Sequence, residues 1–313
     1  MALMNVLTNI RYWVAAALIS GLTIGEIDSG IGKFLIMFSL IAMMSLSLTG
    51  LRFSKEDVTE KKKDIILAVF CCYCVSLASI LLLGIPFGEE MWQGWVIMAA
   101  VPCAISVIPS TLIMKGDTKL SVVSVAVMYI MAIALTPLLT QLLIGNAVDP
   151  IEILKYVMLF VLLPFIISVP LKRIQISPNG RGISLNILYF ILIFVAFGNN
   201  RDFIFNEPVL VLEVALAVII RLAVVWAAVE FILMRLGMNK ERRVVMILSA
   251  IWKNSALAMT LAMILFAGQP HAALPGAVAV PLEMIWFMFL MWYYDKKCPS
   301  SERPKGHLAD GLG

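Results

Sequence analysis

Apolar runs long enough to cross a lipid bilayer follow one another through this 313-residue chain with only short polar breaks between them. A span needs ~20 apolar residues to cross ~30 Å of hydrocarbon. With 61% hydrophobic residues, 14% charged ones and a mean hydropathy of +0.97, the chain carries too much apolar surface for a water-soluble domain. Lipid must be its solvent, and in lipid an open sheet cannot satisfy its backbone, so the runs are predicted to be helices. No room remains for a separate soluble domain.

Ten spans are predicted, over residues 11–26, 33–51, 64–84, 93–114, 120–145, 153–171, 183–198, 208–236, 244–267 and 276–294. The first run leads through Gly25-Glu26-Ile27-Asp28 into the next without a small-residue cleavage pattern, so it is expected to be retained as a span. Loops after the even-numbered spans carry most of the basic residues, among them Arg52, Lys61, Lys62, Lys63, Lys115, Lys172, Arg173, Lys240, Arg242 and Arg243. The other side carries Lys33, Lys155 and Arg201 beside most of the acids. The positive-inside rule then puts both termini in the cytoplasm of a multi-pass protein of a bacterial-type inner or plasma membrane. The net charge of +4 is spread over these loops, which fits a membrane and not nucleic acid. Of the five cysteines, Cys71, Cys72, Cys74 and Cys103 fall inside predicted spans, where a disulfide framework is not expected.

The chain divides near Val148 into two sets of five spans: residues 1–148, residues 149–295, and then a cytoplasmic tail of residues 296–313. Five is odd, so two copies of a five-span unit enter the membrane in opposite orientations, the inverted-repeat plan of many secondary transporters. The fourth span of each half is irregular. In the first, Pro102 and Pro109 each remove a backbone donor and disfavour helix just before them. In the second, the run Ser249-Ala250-Ile251-Trp252-Lys253-Asn254-Ser255 sets polar groups and a full charge in mid-span. A charge there costs about 3 kcal/mol on insertion scales, and intramembrane ionisable residues mark pathways or partners. Interrupted helices at equivalent places in two halves point to a midplane binding site.

Two stretches carry a resemblance. Val101 to Pro137, with Pro102, Lys115-Gly116-Asp117, Leu120-Ser121 and Thr136-Pro137, and Lys253 to Pro275, with Asn254-Ser255, Leu257-Ala258, Leu261-Ala262, Phe266 and Ala273-Leu274-Pro275, resemble the two crossover regions of the bile acid:sodium symporter family. The resemblance implies an all-α integral membrane fold of ten transmembrane helices in two inverted five-helix repeats. A core domain with crossed, discontinuous helices 4 and 9 would move against a panel domain. It also implies organic anions as substrates, coupled to two sodium ions. The ion-site pattern departs from the family's. Val107-Ile108 stand in place of its Ser-Asn, Val125 in place of a Thr, Ser249 in place of a Glu and Lys253 in place of a Gln, which leaves Ser121 as the surviving oxygen ligand of that set.

A hard cation gains nothing from Val or Ile side chains. The expected function is therefore secondary transport of a small organic anion by alternating access, independent of sodium, with the Lys253 ammonium as a tethered cation. Proton coupling through Lys253 stays open as a second route. Lys253, Asn254, Ser255, Ser249, Ser106, Ser110 and Thr111 are the expected substrate-binding residues. Glu283 is the candidate ion-pair partner of Lys253, and the plainer reading of Lys253 is a salt bridge to it that locks the core. In the eighth span, Glu213, Arg221 and Glu230 are read as helix-to-helix pairing, with Glu213 and Arg221 on one polar face. No cofactor, nucleic acid or obligate protein partner is required, only lipid and the anion. An enzyme is not expected: His271 and His307 lie outside the spans, and no nucleophile and base stand together. Two other readings stay open. Cys103 after Pro102 is similar to the Pro-Cys of the related arsenite efflux permeases, where a soft thiolate suits trivalent arsenic. The second is a membrane sensor or structural protein that keeps the fold and moves nothing, against which stand the two intact breaks and the charge placed at one of them.

Overall fold

A computed structural model describes residues 7, 10–25, 27–49, 59–145, 149–174, 176–199 and 201–297. The expected tail beyond Lys297 lies outside the described residues, as do Glu26, Arg52 and Cys298. The described residues are helical, in the order α1 (Ile10–Ile24), α2 (Ser29–Leu48), α3 (Lys62–Gly84), α4 (Glu89–Ala100), α5 (Val107–Ile113), α6 (Thr118–Ile144), α7 (Pro150–Leu171), α8 (Pro178–Asn199), α9 (Arg201–Asn206), α10 (Pro208–Arg235), α11 (Lys240–Ile251), α12 (Ser255–Leu265) and α13 (Pro270–Lys297). Seven of them, α2, α3, α6, α7, α8, α10 and α13, are long and apolar enough to cross a membrane. The chain is a multi-pass membrane protein.

Local chemistry sets where several helices begin. Asp28 caps α2 by accepting from Gly30 and Ile31 N–H, Asp117 caps α6 through Leu120 N–H, Asp149 precedes Pro150 at the start of α7, and Asn239 caps α11 through Arg242 N–H. Each satisfies a donor the helix itself leaves unpaired. Prolines inside a helix do not by themselves end it: Pro137, Pro164, Pro275 and Pro281 all lie within continuous helices.

Two packed groups emerge. In one, α8 lies against α1 and α2, and α7 packs on α2; in the other, α13 packs against α4, α10 and α12, while α3 and α6 flank α4 and α11. Glycines permit the tightest of these approaches. A Cβ on Gly94 of α4 would lie 2.0 Å from the Ala272 carbonyl oxygen, and one on Gly276 of α13 would lie 2.9 Å from the Met259 nitrogen of α12. Close backbone contact between small residues is the usual basis of helix association in lipid.

Candidate functional site

The predicted spans 93–114 and 244–267 are each split in two, α4 from α5 and α11 from α12, and the two breaks meet. Residues Cys103 and Lys253 pair as an antiparallel bridge, with Ala104 N–H donating to Trp252 O at 3.1 Å and Asn254 N–H donating to Pro102 O at 2.9 Å. Each break thus supplies one backbone donor and one acceptor to the other. In lipid such irregular backbone survives only where protein supplies partners. Thr136 of α6 adds a third partner by donating its hydroxyl to Ala100 O at 3.0 Å.

Lys253 is fully buried. Its Nζ donates to Val101 O at 2.8 Å, lies 3.6 Å from Cys72 Sγ, and sits 4.9 Å from the centroid of the Tyr73 ring. Val101 caps the C-terminus of α4, the negative end of that helix, and a ring face within about 6 Å attracts a cation. Cys72 and Tyr73 belong to the Cys71–Ser76 stretch of α3, which is wound as a π-helix. The Tyr73 hydroxyl is itself fixed by donation to Met128 O at 3.0 Å. The wider turn of a π-segment redirects side chains and is common at functional sites. Cys72 and Tyr73 therefore form a wall of the lysine pocket.

The expected Lys253–Glu283 salt bridge does not form. Glu283 of α13 is paired with Arg221 of α10, Nη2 to Oε1 at 3.2 Å, with both side chains buried. The same Arg221 nitrogen donates to Ile251 O at 2.9 Å, and Ser255 donates its hydroxyl to Glu283 Oε1 at 2.9 Å. The reason is direction: Lys253 points back toward Val101 and the Cys72–Tyr73 turn, while Glu283 is held by Arg221 and Ser255. The shared polar face expected for Glu213 and Arg221 is also absent, since Glu213 is exposed while Arg221 is buried. Glu230 pairs with Arg243 at 3.2 Å and accepts from the Tyr294 hydroxyl at 2.8 Å.

A cavity of about 350 Å³ lies beside the crossing, where α2 ends and α1 and α8 begin. Its polar lining comes from Ser47, Ser106, Ser110, Asn186, Tyr189 and Asn254. A larger apolar cavity of about 520 Å³ between α1 and α13 shares Ile10, Ile113, Met284 and Phe287 with it.

Of the expected site residues, Ser106, Ser110 and Asn254 come together on this cavity. Asn254 is held on both sides, its carbonyl oxygen accepting from Leu257 N–H to cap α12 and its amide donating to the Tyr129 hydroxyl at 2.8 Å. Thr111 faces away, bonding Val107 O and the Ser121 hydroxyl on α6. Ser255 belongs to the Glu283 cluster, and Ser249 is buried with its hydroxyl unpaired among the described residues. Lys253 and Cys103 do not line this cavity. Pro109 falls in the first turn of α5 and not at the break. Cys72, Tyr73, Asn186 and Tyr189 were not foreseen as site residues; a polar Asn186 within an apolar span was the one available signal.

No curated protein matches the chain. The model of the sodium bile acid symporter family matches residues 31–207, which takes in the first break, the Lys115-Gly116-Asp117 turn and the whole of α6. With more than half of its length matched, the chain belongs to the sodium bile acid symporter family.

Proposed function

We propose that this protein is a secondary transporter that moves a small organic anion by alternating access without sodium, the Lys253 ammonium standing where a coupling cation would bind. The observation that carries this reading is the 2.8 Å bond from Lys253 Nζ to Val101 O at the C-terminus of α4. A carbonyl freed at a helix break and an aromatic face make a cation site, and here a side chain fills it. Stripping an ammonium of water costs several kcal/mol, so such a group persists only where its surroundings repay the loss.

Sodium fits these residues poorly. Val107, Ile108 and Val125 are buried and bring only carbon, Val101 O and Ile251 O already accept from side chains, and the Ser121 hydroxyl accepts from Thr111. Proton coupling remains compatible with this reading, because an amine can release its proton.

The ten-crossing reading takes α1, the seven long helices and the two interrupted pairs as spans, arranged as inverted repeats over residues 1–148 and 149–295. The antiparallel bridge between the breaks supports that symmetry. In this reading α1, α2, α7 and α8 form the panel, the remaining helices form the core, and the cavity between them is where an anion binds. In this reading the cavity faces the cytoplasm, which the basic residues Lys172, Arg173 and Arg181 near the start of α8 support. Hydroxyls and amides on the cavity wall would hold the anionic group, and its apolar continuation would hold the carbon skeleton.

The test is uptake of candidate carboxylates into proteoliposomes, with an imposed sodium gradient, an imposed pH gradient or neither. Wild-type uptake indifferent to sodium, and impaired or decoupled in Lys253→Gln, is the expected result. Sodium-driven uptake by the wild type would overturn the reading.

A further inference from the structure

Lys253 serves one of the two half-helix C-termini at the crossing. The other, at the end of α11, is served by Arg221. Its Nη2 donates to Ile251 O at 2.9 Å and to Glu283 Oε1 at 3.2 Å, and Nη1 lies 3.5 Å from the Ser76 hydroxyl. Arg221 is 1% exposed. Glu283 satisfies only part of the guanidinium's five N–H donors, and of the two acceptors of Nη2 the Ile251 carbonyl is the nearer. Each C-terminal end therefore meets one side-chain cation: Val101 O meets Lys253 and Ile251 O meets Arg221. Both cations also touch the same π-helical turn of α3, Lys253 through Cys72 and Tyr73, Arg221 through Ser76. Helix C-termini carry partial negative charge, so a cation placed there is favoured in both halves.

We infer that Arg221 is a second resident cation of the crossing, a positioning residue that occupies a monovalent-cation place bounded by Ile251 O, Glu283 Oε1 and the Ser76 hydroxyl. Removing the guanidinium would leave a carboxylate, a freed carbonyl and a hydroxyl around one space, with the Ser255 hydroxyl 2.9 Å from the same carboxylate oxygen. Hard oxygen ligands of this kind suit an alkali cation. The inference extends the reading of Lys253 as a tethered cation, but the two fail separately. Sodium-driven uptake by the wild type overturns the Lys253 reading, whereas the Arg221 inference is read from melting and needs no substrate.

The experiment is intrinsic-fluorescence melting of the full-length protein in detergent, in sodium, lithium, potassium or choline chloride at equal ionic strength. Parallel samples of each variant receive methylguanidinium at a concentration that leaves the wild type unaffected. The wild type is expected to melt at one temperature in all four salts. Arg221→Ala is expected to melt lower in choline and to regain part of the loss, saturably, in sodium or with methylguanidinium. The double variant Arg221→Ala/Glu283→Ala is expected to show no such recovery. Equal loss for Arg221→Ala in every salt, with no response to methylguanidinium, would reduce Arg221 to a salt-bridge partner and overturn the inference. A wild type that sodium stabilises over choline overturns it too. Should Arg221→Ala not accumulate, Arg221→Lys replaces it. A folded, salt-indifferent Arg221→Lys supports a place that accepts any cation, and a destabilised one that no added cation restores overturns it.

Discussion

At the first break the chain leaves α4 through Val101 and Pro102 and enters α5 with Pro109 in its first turn; the side chains there are apolar apart from Ser106 and carry no charge. At the second break there is no proline. The chain leaves α11 through Trp252 and Lys253, and α12 starts on the Asn254 cap, with Ser255, Glu283 and Arg221 gathered behind it. One break removes backbone donors covalently, and the other competes for them with side chains. Their contributions differ accordingly, since an apolar break holds no strong partners of its own. The first break borrows Lys253 for its carbonyl and the backbone of residues 252 and 254 for its open groups. The continuous helices through Pro137, Pro164, Pro275 and Pro281 make the same point, because proline opens a helix fully only where other groups take over the freed backbone.

If the second break is the one that holds the crossing, damage there should cost more. Glu283→Leu, which strands the Arg221 guanidinium, should lower unfolding stability by ~3–5 kcal/mol, the usual cost of removing one partner of a buried pair. Equilibrium unfolding in mixed micelles would measure it. Arg221→Met/Glu283→Leu should recover only part, because Ile251 O stays unpaired. Next comes Asn254→Ala, which loses the α12 cap and the Tyr129 partner together, at about 1–2 kcal/mol by the same assay. Thr136→Val removes a single hydroxyl from Ala100 O and should cost ~1 kcal/mol. Smallest is Pro102→Ala, expected below ~1 kcal/mol, since the bridge to the second break persists without the ring. A Pro102→Ala loss larger than that of Glu283→Leu would reverse the comparison.

Much of the candidate site was legible in the residues. Lys253 announces itself as a charge at mid-span, Pro102 as a missing donor, and Asn254 as an amide beside the break. What failed was the pairing. Glu283 was the natural partner for Lys253 on charge alone, yet Arg221 takes it, and Lys253 turns to a carbonyl, a thiol and a ring that carry no full charge of opposite sign. The Cys71–Ser76 turn was equally hidden, because a π-segment has no composition of its own.

The sequence by itself determined that this is an all-helical, multi-pass membrane protein with two polar interruptions, since apolar length and backbone satisfaction in lipid leave no other solution. Helix starts are set locally by Asp28, Asp117, Asn239 and Asn254, since caps act within a few residues of themselves, although the expected spans 33–51, 120–145 and 244–267 begin inside those helices. Only the tertiary structure decided that the two breaks bond to each other, and which buried cation meets which helix end. Those contacts join residues as far apart as Val101 and Lys253, and they depend on the direction each side chain takes once the helices have packed.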